Sequence, residues 1–479
     1  MWRDIRKVSV ASEEVSSPDL QVKSNGPFFA LSGLELNGVA FIEVFDLIAR
    51  RHAAAVKENL FAAIIWSNEP KTLGSDYFFD SACHNDFSSS TSKRMNFSPI
   101  VDNQIDCNLA YSLNFTKTKA TLDSVLYYIT GHGYGHAVRS CQVIWNLKER
   151  CPELTVYVRS TVPDWLFEHP LYSVQQSSQA LDVGIVQDDS LHMELGPTLE
   201  ACKALHARFP SLIEQELHFI AKYNISLIVG DVPPLCFEVA ARAGVPSVAI
   251  TNFSWSGMYR GFLHALPEFL PLIEEMENFY RKATLALTLP YSCEVEIFPT
   301  RERIPFITRS SSLDRREARE RFGIPSLATV VLLSFGGHGL ERIHLERLLR
   351  QKEFFFIGTG DPLRKDSNLL ILPNAQRSYV NLVRAADVIV SKPGYGIVAD
   401  VIRHQVPLLY TDRGDFAEYP YLVKTLEDCA TAEFIPQNDL ISANLTPYLK
   451  RLLIKEKHWP AVATDGASIA SEKILSLLR

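Results

Sequence analysis

The feature that most constrains the fold is a regular alternation of strand-like and helix-like segments from residue 124 onward. Short runs of β-branched and aromatic residues alternate with amphipathic windows, which is typical of βαβ units around a parallel sheet. The first half of this region predicts strands at Val125–Thr130, Thr155–Arg159, Val183–Gln187, Ser226–Gly230 and Ser247–Thr251. The second half predicts strands at Thr329–Ser334, Phe354–Ile357, Leu369–Leu372, Val388–Ser391 and Leu408–Thr411. The sequence therefore predicts two α/β domains that face each other across a cleft.

A Pro- and Arg-rich passage at residues 298–305 separates the two halves and predicts the connection between them. We therefore expect one domain at 124–308 and a second at 309–479. Residues 1–123 differ in character, since the stretch 74–120 is rich in Ser, Asn, Asp and Thr. Such a stretch has little apolar surface to offset the entropy of ordering. We predict an N-terminal extension that is partly disordered, and we assign it no function.

Charge and cysteine usage exclude several classes of protein. The chain has 48 Lys and Arg against 55 Asp and Glu, a net charge of −7, which gives no electrostatic reason to expect nucleic acid as a partner. No apolar run approaches the ~18 residues that a membrane span needs, although peripheral membrane contact stays open. The first residues lack the apolar core of a signal peptide. The eight cysteines form no C-x-x-C pair, which favours the reducing cytoplasm.

A glycine-rich loop follows the first predicted strand. Gly131, Gly133 and Gly135 precede a helix that begins near His136. Glycines allow a tight turn and a close approach of the backbone to a ligand, and the spacing differs from the G-x-G-x-x-G dinucleotide fingerprint. At a helix N-terminus the dipole favours a neutral imidazole, so His136 is a candidate general base for an acceptor hydroxyl, and His132 a candidate substrate contact. A capping or buried structural role for His136 is an equally ordinary alternative.

A second glycine loop follows the first strand of the second half. Gly336 and Gly337 open the next predicted helix, where free backbone N–H groups can bind a pyrophosphate. A plain tight turn between strand and helix explains the same two glycines equally well.

The third loop, at residues 390–400, is the most specific signal in the chain. Its glycines lie between a strand and a helix, which again suits phosphate; the candidate donor-binding residues there are Lys392, Gly394, Tyr395 and Gly396. Asp400 follows about one helical turn further on, where a carboxylate can accept hydrogen bonds from ribose hydroxyls. Asp415 and Glu418, after the next strand, are placed to bind sugar hydroxyls. A solvated acidic turn is the alternative for that pair.

Other residues complete the predicted site. Asp231 lies at a strand end of the first half, where it either orients His136 or caps the next turn. Trp255 and Tyr259 either line the acceptor side or pack in the core. The chain contains no D-x-D triplet, so the sequence gives no indication of a metal that bridges a diphosphate.

These segments together resemble a known family. From about residue 126 onward the chain is similar to the glycosyltransferase-like N-terminal half of plant L-arabinokinase and its free-standing bacterial relatives. It is more distantly similar to the N-acetylglucosaminyltransferase of peptidoglycan synthesis. The matching segments, which occur in the same order, are Tyr128–Ala137, Asp182–Gln187, Gly244–Ser247, Thr251–Trp255, Phe335–Gly337 and Ser391–Gly396.

The resemblance implies a GT-B fold, with two Rossmann-like domains facing a cleft, and an inverting transfer from a UDP-sugar-like donor. Carried over position by position, it implies a base at His136, a diphosphate loop at Gly336 and Gly337, a ribose contact at Asp400 and sugar contacts at Asp415 and Glu418. Asp400 departs from the family's glutamate by one methylene, so its ribose contact is expected to be looser or indirect. No phosphate-binding kinase motif follows, and we predict no sugar kinase activity.

The residues and the resemblance lead to one functional prediction. We expect a metal-independent, inverting glycosyltransferase of the cytoplasm that has no cofactor, with a nucleotide-diphosphate sugar as co-substrate and an unidentified hydroxyl acceptor. The first domain is expected to bind the acceptor and the second the donor. Two alternatives stay open: a nucleotide-sugar epimerase, because fold does not fix function, and a non-catalytic module that binds nucleotide sugars.

Overall fold

The computed structural model describes residues 123–187, 193–335, 343–373, 375–414 and 416–478, together with the strands Val22–Ser24 and Phe29–Leu31. The chain divides into two compact units, 1–113 and 114–479. In the first unit the two described strands pair antiparallel. The rest of the predicted N-terminal extension lies outside the described residues.

The larger unit begins with a parallel sheet of seven strands. Its strands are β1 (Ser124–Ile129), β2 (Thr155–Arg159), β3 (Gln175–Ser177), β4 (Ile225–Asp231), β5 (Ser247–Phe253), β6 (Leu285–Cys293) and β7 (Arg301–Arg303). The order across the sheet is β3-β2-β1-β4-β5-β6-β7, and every neighbouring pair is parallel. Its helices are α1 (Tyr134–Arg150), α2 (Leu195–His206), α3 (Phe209–Tyr223), α4 (Leu235–Ala243), α5 (Trp255–Arg260) and α6 (Leu270–Tyr280). We call this part the first lobe.

A second sheet of seven strands follows. Its strands are β8 (Val330–Ser334), β9 (Phe355–Thr359), β10 (Arg364–Lys365), β11 (Leu369–Leu372), β12 (Val388–Ser391), β13 (Leu408–Tyr410) and β14 (Ala432–Phe434). The order is β10-β11-β9-β8-β12-β13-β14, and only the β10–β11 pair is antiparallel. Its helices are α7 (Arg315–Phe322), α8 (Leu345–Leu348), α9 (Tyr379–Ala385), α10 (Tyr395–His404), α11 (Tyr419–Cys429), α12 (Gln437–Ile441) and α13 (Thr446–Ile454), and a last helix, α14 (Gly466–Leu477), follows them in the chain. We call this part the second lobe.

The central strands are buried on both faces, which explains why the sequence predicted them. All six residues of β1 are buried. Val125 and Tyr127 pack into one apolar cluster, while Leu126 and Tyr128 pack into another. Successive side chains of a strand point to opposite faces, so helices cover the sheet on both sides. Strands of this kind appear in a sequence as continuous apolar runs.

The predicted fold class is confirmed, and two local predictions change. The run Val183–Gln187 forms no strand; only Gln187 makes an isolated bridge, with Met193. Gly184 has a φ of +71°, which bends the chain away from strand geometry. The passage predicted as the connection between domains contains β7, which belongs to the first sheet. The boundary at residue 308 stays a prediction. Among the described residues, no helix is long and apolar enough to cross a bilayer.

The last helix follows the second lobe in the chain and packs against the first lobe. Helix α14 packs against α1 of the first lobe, and the backbone N–H of Gly466 donates to the carbonyl of Phe306 at 3.1 Å. A Cβ atom on Gly466 would lie 2.2 Å from the carbonyl oxygen of Pro305. It would also lie 2.9 Å from the carbonyl oxygen of Phe306. Because these atoms belong to the backbone and cannot move aside as a side chain can, only a glycine fits at this position.

We therefore expect Gly466→Ala to lower the free energy of unfolding by about 1–3 kcal/mol, the usual cost of forcing extra atoms into a packed site. Urea titration followed by circular dichroism measures this. Gly196→Ala is the matched control, since Gly196 also lies in the first turn of a helix and a Cβ atom there meets nothing within 4 Å. Equal stabilities of the two variants would contradict the prediction.

Candidate active site

The N-termini of α1 and α10 face each other across the cleft between the lobes. A Cβ atom on Gly396 would lie 3.6 Å from the Cα of Gly135. A cavity of about 510 Å³ opens beside them and is lined by both lobes. Of the residues predicted from sequence, it is lined by Gly131, His132, Gly133, Gly135, His136, Lys392, Gly394, Tyr395, Gly396 and Glu418. The glycine loops of the two lobes therefore share one crevice.

The predicted base lies in the first turn of α1. Gly133 precedes the helix with a φ of +81°, a conformation that favours glycine. His136 is largely buried, with 13% of its side chain exposed. Its Nδ1 lies 2.9 Å from Oδ1 of Asp231 at the end of β4. Nη2 of Arg139, which only donates, lies 3.0 Å from the same Nδ1. The two contacts need different tautomers: in the tautomer with its proton on Nδ1, this nitrogen donates to Asp231 and Nε2 can accept a proton.

Asp231 is fully buried and strongly bound. Besides His136, its carboxylate accepts hydrogen bonds from Nε of Arg139 at 2.7 Å and from Oγ of Ser140 at 2.8 Å. Burial alone would raise the pKa of Asp231, but the charges of Arg139 and His136 and their hydrogen bonds lower it to about 2. The carboxylate therefore stays ionised at neutral pH. The geometry agrees with the orienting role considered for Asp231.

Arg139 is a site residue that sequence reasoning missed. Its guanidinium is 5% exposed and lines the cavity. It binds Asp231 and also donates from Nη1 to Oδ1 of Asn252, a buried residue in β5. Arg139 follows His136 by three residues, which places both side chains on one face of α1. This spacing was the signal from which the sequence could have predicted Arg139 as a site residue.

Asp400 is not placed as the resemblance implied. It is 2% exposed and is absent from the residues that line the cavity. Its carboxylate accepts hydrogen bonds from Arg309, whose Nε lies 3.3 Å from Oδ1 and whose Nη2 binds Oδ2. Arg309 itself lines the cavity and packs over the ring of Tyr379, 4.9 Å from the centroid. Because Asp400 is bound to Arg309, the cavity presents the cation and not the carboxylate. The looser or indirect ribose contact expected for Asp400 stays a prediction.

Trp255 lies in the first-lobe core, the second of the two places considered for it, and does not line the cavity. Its ring is 1% exposed, and its Nε1 donates to Oδ2 of Asp182 at 2.8 Å. It stacks on Tyr259 inside the first-lobe core. His132 lies edge-on to Trp255 at 5.3 Å and does line the cavity. Trp255 is therefore a core residue behind His132, since its large apolar ring is more stable in the core than at a polar cleft.

The second lobe contributes one acidic residue to the described site. Glu418 is 5% exposed, lines the cavity and precedes α11. Its Oε1 accepts a hydrogen bond from Nδ2 of Asn252, and its Oε2 from Nη1 of Arg413 at 3.3 Å. Gly336, Gly337 and Asp415 lie outside the described residues. Within the described part of the chain, no cluster of three or more His, Cys, Asp or Glu side chains is arranged to hold a metal ion.

The fold and its cleft define a class of protein. The chain has the GT-B fold, with two facing α/β lobes. It aligns with the structure of UGT71G1 from Medicago truncatula complexed with UDP-glucose, at 14% identity and a TM-score of 0.50, over 75% of this chain and 100% of that one. It also aligns with the glycotransferase of kitacinnamycin, at 14% identity and a TM-score of 0.50, over 74% of this chain and 99% of that one. At this identity the likeness establishes the fold alone.

A sequence relative supports the resemblance more directly. The chain is 29% identical over 331 residues to L-arabinokinase of Arabidopsis thaliana. This alignment covers 68% of this chain and 32% of that protein. The chain thus spans about a third of the length of this curated relative. The predicted resemblance to the arabinokinase family is confirmed. No protein-family model matches the chain.

Proposed function

We propose that this protein is an inverting, metal-independent glycosyltransferase that transfers a sugar from a nucleoside diphosphate, with UDP as the favoured nucleotide, to a hydroxyl acceptor. The observation that carries the proposal is the shared cavity. His136, hydrogen-bonded to Asp231, lines it from the first lobe, and the N-terminus of α10 lines it from the second.

The first lobe supplies the base in this proposal. The acceptor oxygen attacks the anomeric carbon while its proton moves to Nε2 of His136. The bond from the anomeric carbon to the diphosphate oxygen breaks, and the electron pair leaves with the diphosphate. Asp231 stabilises the imidazolium that forms, as a buried carboxylate does in other acid–base pairs. Because attack and departure occur on opposite faces, the anomeric configuration inverts.

The second lobe supplies the charge stabilisation. Helix α10 begins at Tyr395, with Gly394 as its N-cap residue and Gly396 in its first turn. A helix N-terminus, with its free backbone N–H groups, favours a negatively charged ligand. Lys392 and Arg309 add positive charge to the same cavity. Donors fixed in place before the reaction stabilise the departing diphosphate without reorganisation. Glu418 would accept hydrogen bonds from hydroxyls of the donor sugar.

The name of the curated relative raises a second candidate, the phosphorylation of L-arabinose. The match covers 32% of that protein, and this chain carries no kinase phosphate motif that we identify. Epimerisation of a nucleotide sugar and binding without turnover are further alternatives for the same cleft. A cytoplasmic location and the lack of a cofactor remain predictions from the sequence.

A thermal-shift screen of nucleotide sugars tests donor binding. At ~100-fold excess over its dissociation constant, a true donor should stabilise the protein by about 2.7 kcal/mol. UDP-glucose, UDP-galactose, UDP-xylose and UDP-N-acetylglucosamine form the first panel, with GDP-mannose and ATP plus L-arabinose as comparisons. No shift with any nucleotide sugar would contradict the proposal, and a shift with ATP plus L-arabinose alone would favour the kinase.

Product analysis then separates the reactions. NMR of the products, with EDTA present, is expected to show release of UDP and a glycoside of inverted configuration. A new nucleotide sugar without free UDP would identify an epimerase. Binding without hydrolysis or transfer to any of a set of hydroxyl acceptors would identify a non-catalytic module, and loss of turnover with EDTA would overturn metal independence.

A further inference from the structure

A buried side chain connects the two lobes next to the proposed base. Asn252 lies at the end of β5 in the first lobe and is 1% exposed. Its Oδ1 accepts a hydrogen bond from Nη1 of Arg139, and its Nδ2 donates one to Oε1 of Glu418 in the second lobe. Asn252 and Glu418 are 166 residues apart in sequence. A series of hydrogen bonds therefore connects the Asp231–His136 pair, through Arg139 and Asn252, to the carboxylate of Glu418, which is proposed to bind the donor sugar.

The chemistry of this position requires an amide. Arg139 is a cation that only donates hydrogen bonds, and Glu418 is an anion that only accepts them. An asparagine offers an acceptor to one and a donor to the other, so it joins them with correct polarity. An aspartate of the same shape would present two acceptors and would place a second negative charge against Glu418.

The remaining contacts hold Glu418 in one orientation. Its other oxygen, Oε2, accepts from Arg413, which is itself 12% exposed and packs over the ring of Phe416. Both carboxylate oxygens are therefore engaged, one by each lobe. Since Glu418 also lines the cavity, Asn252 fixes the orientation in which this carboxylate faces a ligand.

We infer that Asn252 is a positioning residue that sets Glu418 for the donor sugar and links it to the base through Arg139. The inference rests on the proposed function, because it assigns Glu418 to the sugar of a nucleotide-sugar donor. If this inference is correct, substitution of Asn252 weakens recognition of the sugar and leaves recognition of the nucleotide unchanged.

Binding of UDP and of UDP-sugar to Asn252→Asp tests this pattern. Isothermal titration would use UDP and whichever panel sugar nucleotide binds the wild type most tightly. We expect Asn252→Asp to weaken binding of the UDP-sugar about tenfold or more, the loss of one charge-assisted hydrogen bond, while the affinity for UDP stays within about twofold. Asn278→Asp, which adds the same charge on the exposed side of α6, should change neither.

A double variant that exchanges the hydrogen-bonding roles of positions 252 and 418 tests the hydrogen bond between them. In Asn252→Asp combined with Glu418→Gln, the aspartate still accepts from Arg139 and the glutamine donates back across the cleft. This double variant should bind the UDP-sugar more tightly than Asn252→Asp alone. Asn252→Ala, which adds no charge, serves if Asn252→Asp does not fold, and it should show the same loss for UDP-sugar only.

The outcomes distinguish this inference from the proposed function. Equal weakening of UDP and UDP-sugar, or a double variant whose losses simply add, would overturn the role of Asn252 and leave the proposed function standing. Wild-type protein that binds neither UDP nor any nucleotide sugar would overturn both.

Discussion

Replacing His136 by alanine is expected to lower the rate of sugar transfer by roughly 10²–10⁴-fold, the usual contribution of a positioned general base. The imidazole lines the cavity and its Nδ1 lies 2.9 Å from Oδ1 of Asp231, which fixes the position of the ring. Donor binding should be unchanged, because the proposed phosphate contacts come from the second lobe. Single-turnover transfer and isothermal titration with the donor measure the two quantities.

The control for this prediction is another histidine. His218 is exposed on α3 and does not line the cavity, so His218→Ala should keep the wild-type rate. If His136→Ala also keeps that rate, His136 is not the base. If it abolishes donor binding as well, the residue supports the structure of the cleft and its assignment as base fails.

Replacing Asp231 by asparagine is expected to destabilise the protein by about 3 kcal/mol at pH 7, because it leaves the buried guanidinium of Arg139 without its counter-charge. Arg139 is 5% exposed and Asp231 is fully buried, so water does not replace the lost partner. Transfer should also fall, since an asparagine can present its amide to His136 and favour the wrong tautomer. Urea unfolding at pH 7 measures the stability.

Acid titration gives a second readout of the same group. The pKa of Asp231 is lowered to about 2 in the folded state, below its ordinary value of 3.8. A depressed folded-state pKa stabilises the protein above the unfolded value, here by about 2 kcal/mol, and this is lost as pH falls from about 4 towards 2. The stability difference between wild type and Asp231→Asn should therefore shrink as pH falls below about 4.

Asp123→Asn is the control, since Asp123 is exposed at the start of β1. Its stability should follow the wild type at every pH. A constant difference between wild type and Asp231→Asn across this pH range would show that the carboxylate is not held ionised by Arg139 and His136.

Local sequence predicted the two described glycine loops that line the cavity. The glycine loops at 131–135 and 394–396 follow strands that are buried on both faces, and such strands are visible as apolar runs. Since the carboxyl ends of parallel strands meet at one edge of a sheet, the loops were expected at the cleft. The failed strand at Val183–Gln187 has the same apolar composition, but Gly184 adopts a positive φ there, and composition alone does not report a backbone angle.

Residues that act through partners were harder to predict. Asp400 occupies the position that the family resemblance assigns to ribose, yet its carboxylate binds Arg309, 91 residues away in sequence. Trp255 follows a strand as a cleft residue would, yet the carboxylate of Asp182 and the ring of Tyr259 hold it in the core. Each outcome depends on a side chain that comes from another element, which one sequence without its fold does not reveal.

The sequence by itself determined the two α/β lobes, the strand ends that carry glycines and the candidate base His136, because these depend on periodicity and on residues close together in the chain. Only the tertiary structure decided that Arg139, Asn252 and Glu418 form one buried connection between the lobes, across 166 residues between the last two. The physical reason is that hydrogen bonds and buried charges depend on which atoms meet in space, and packing of distant elements sets those distances.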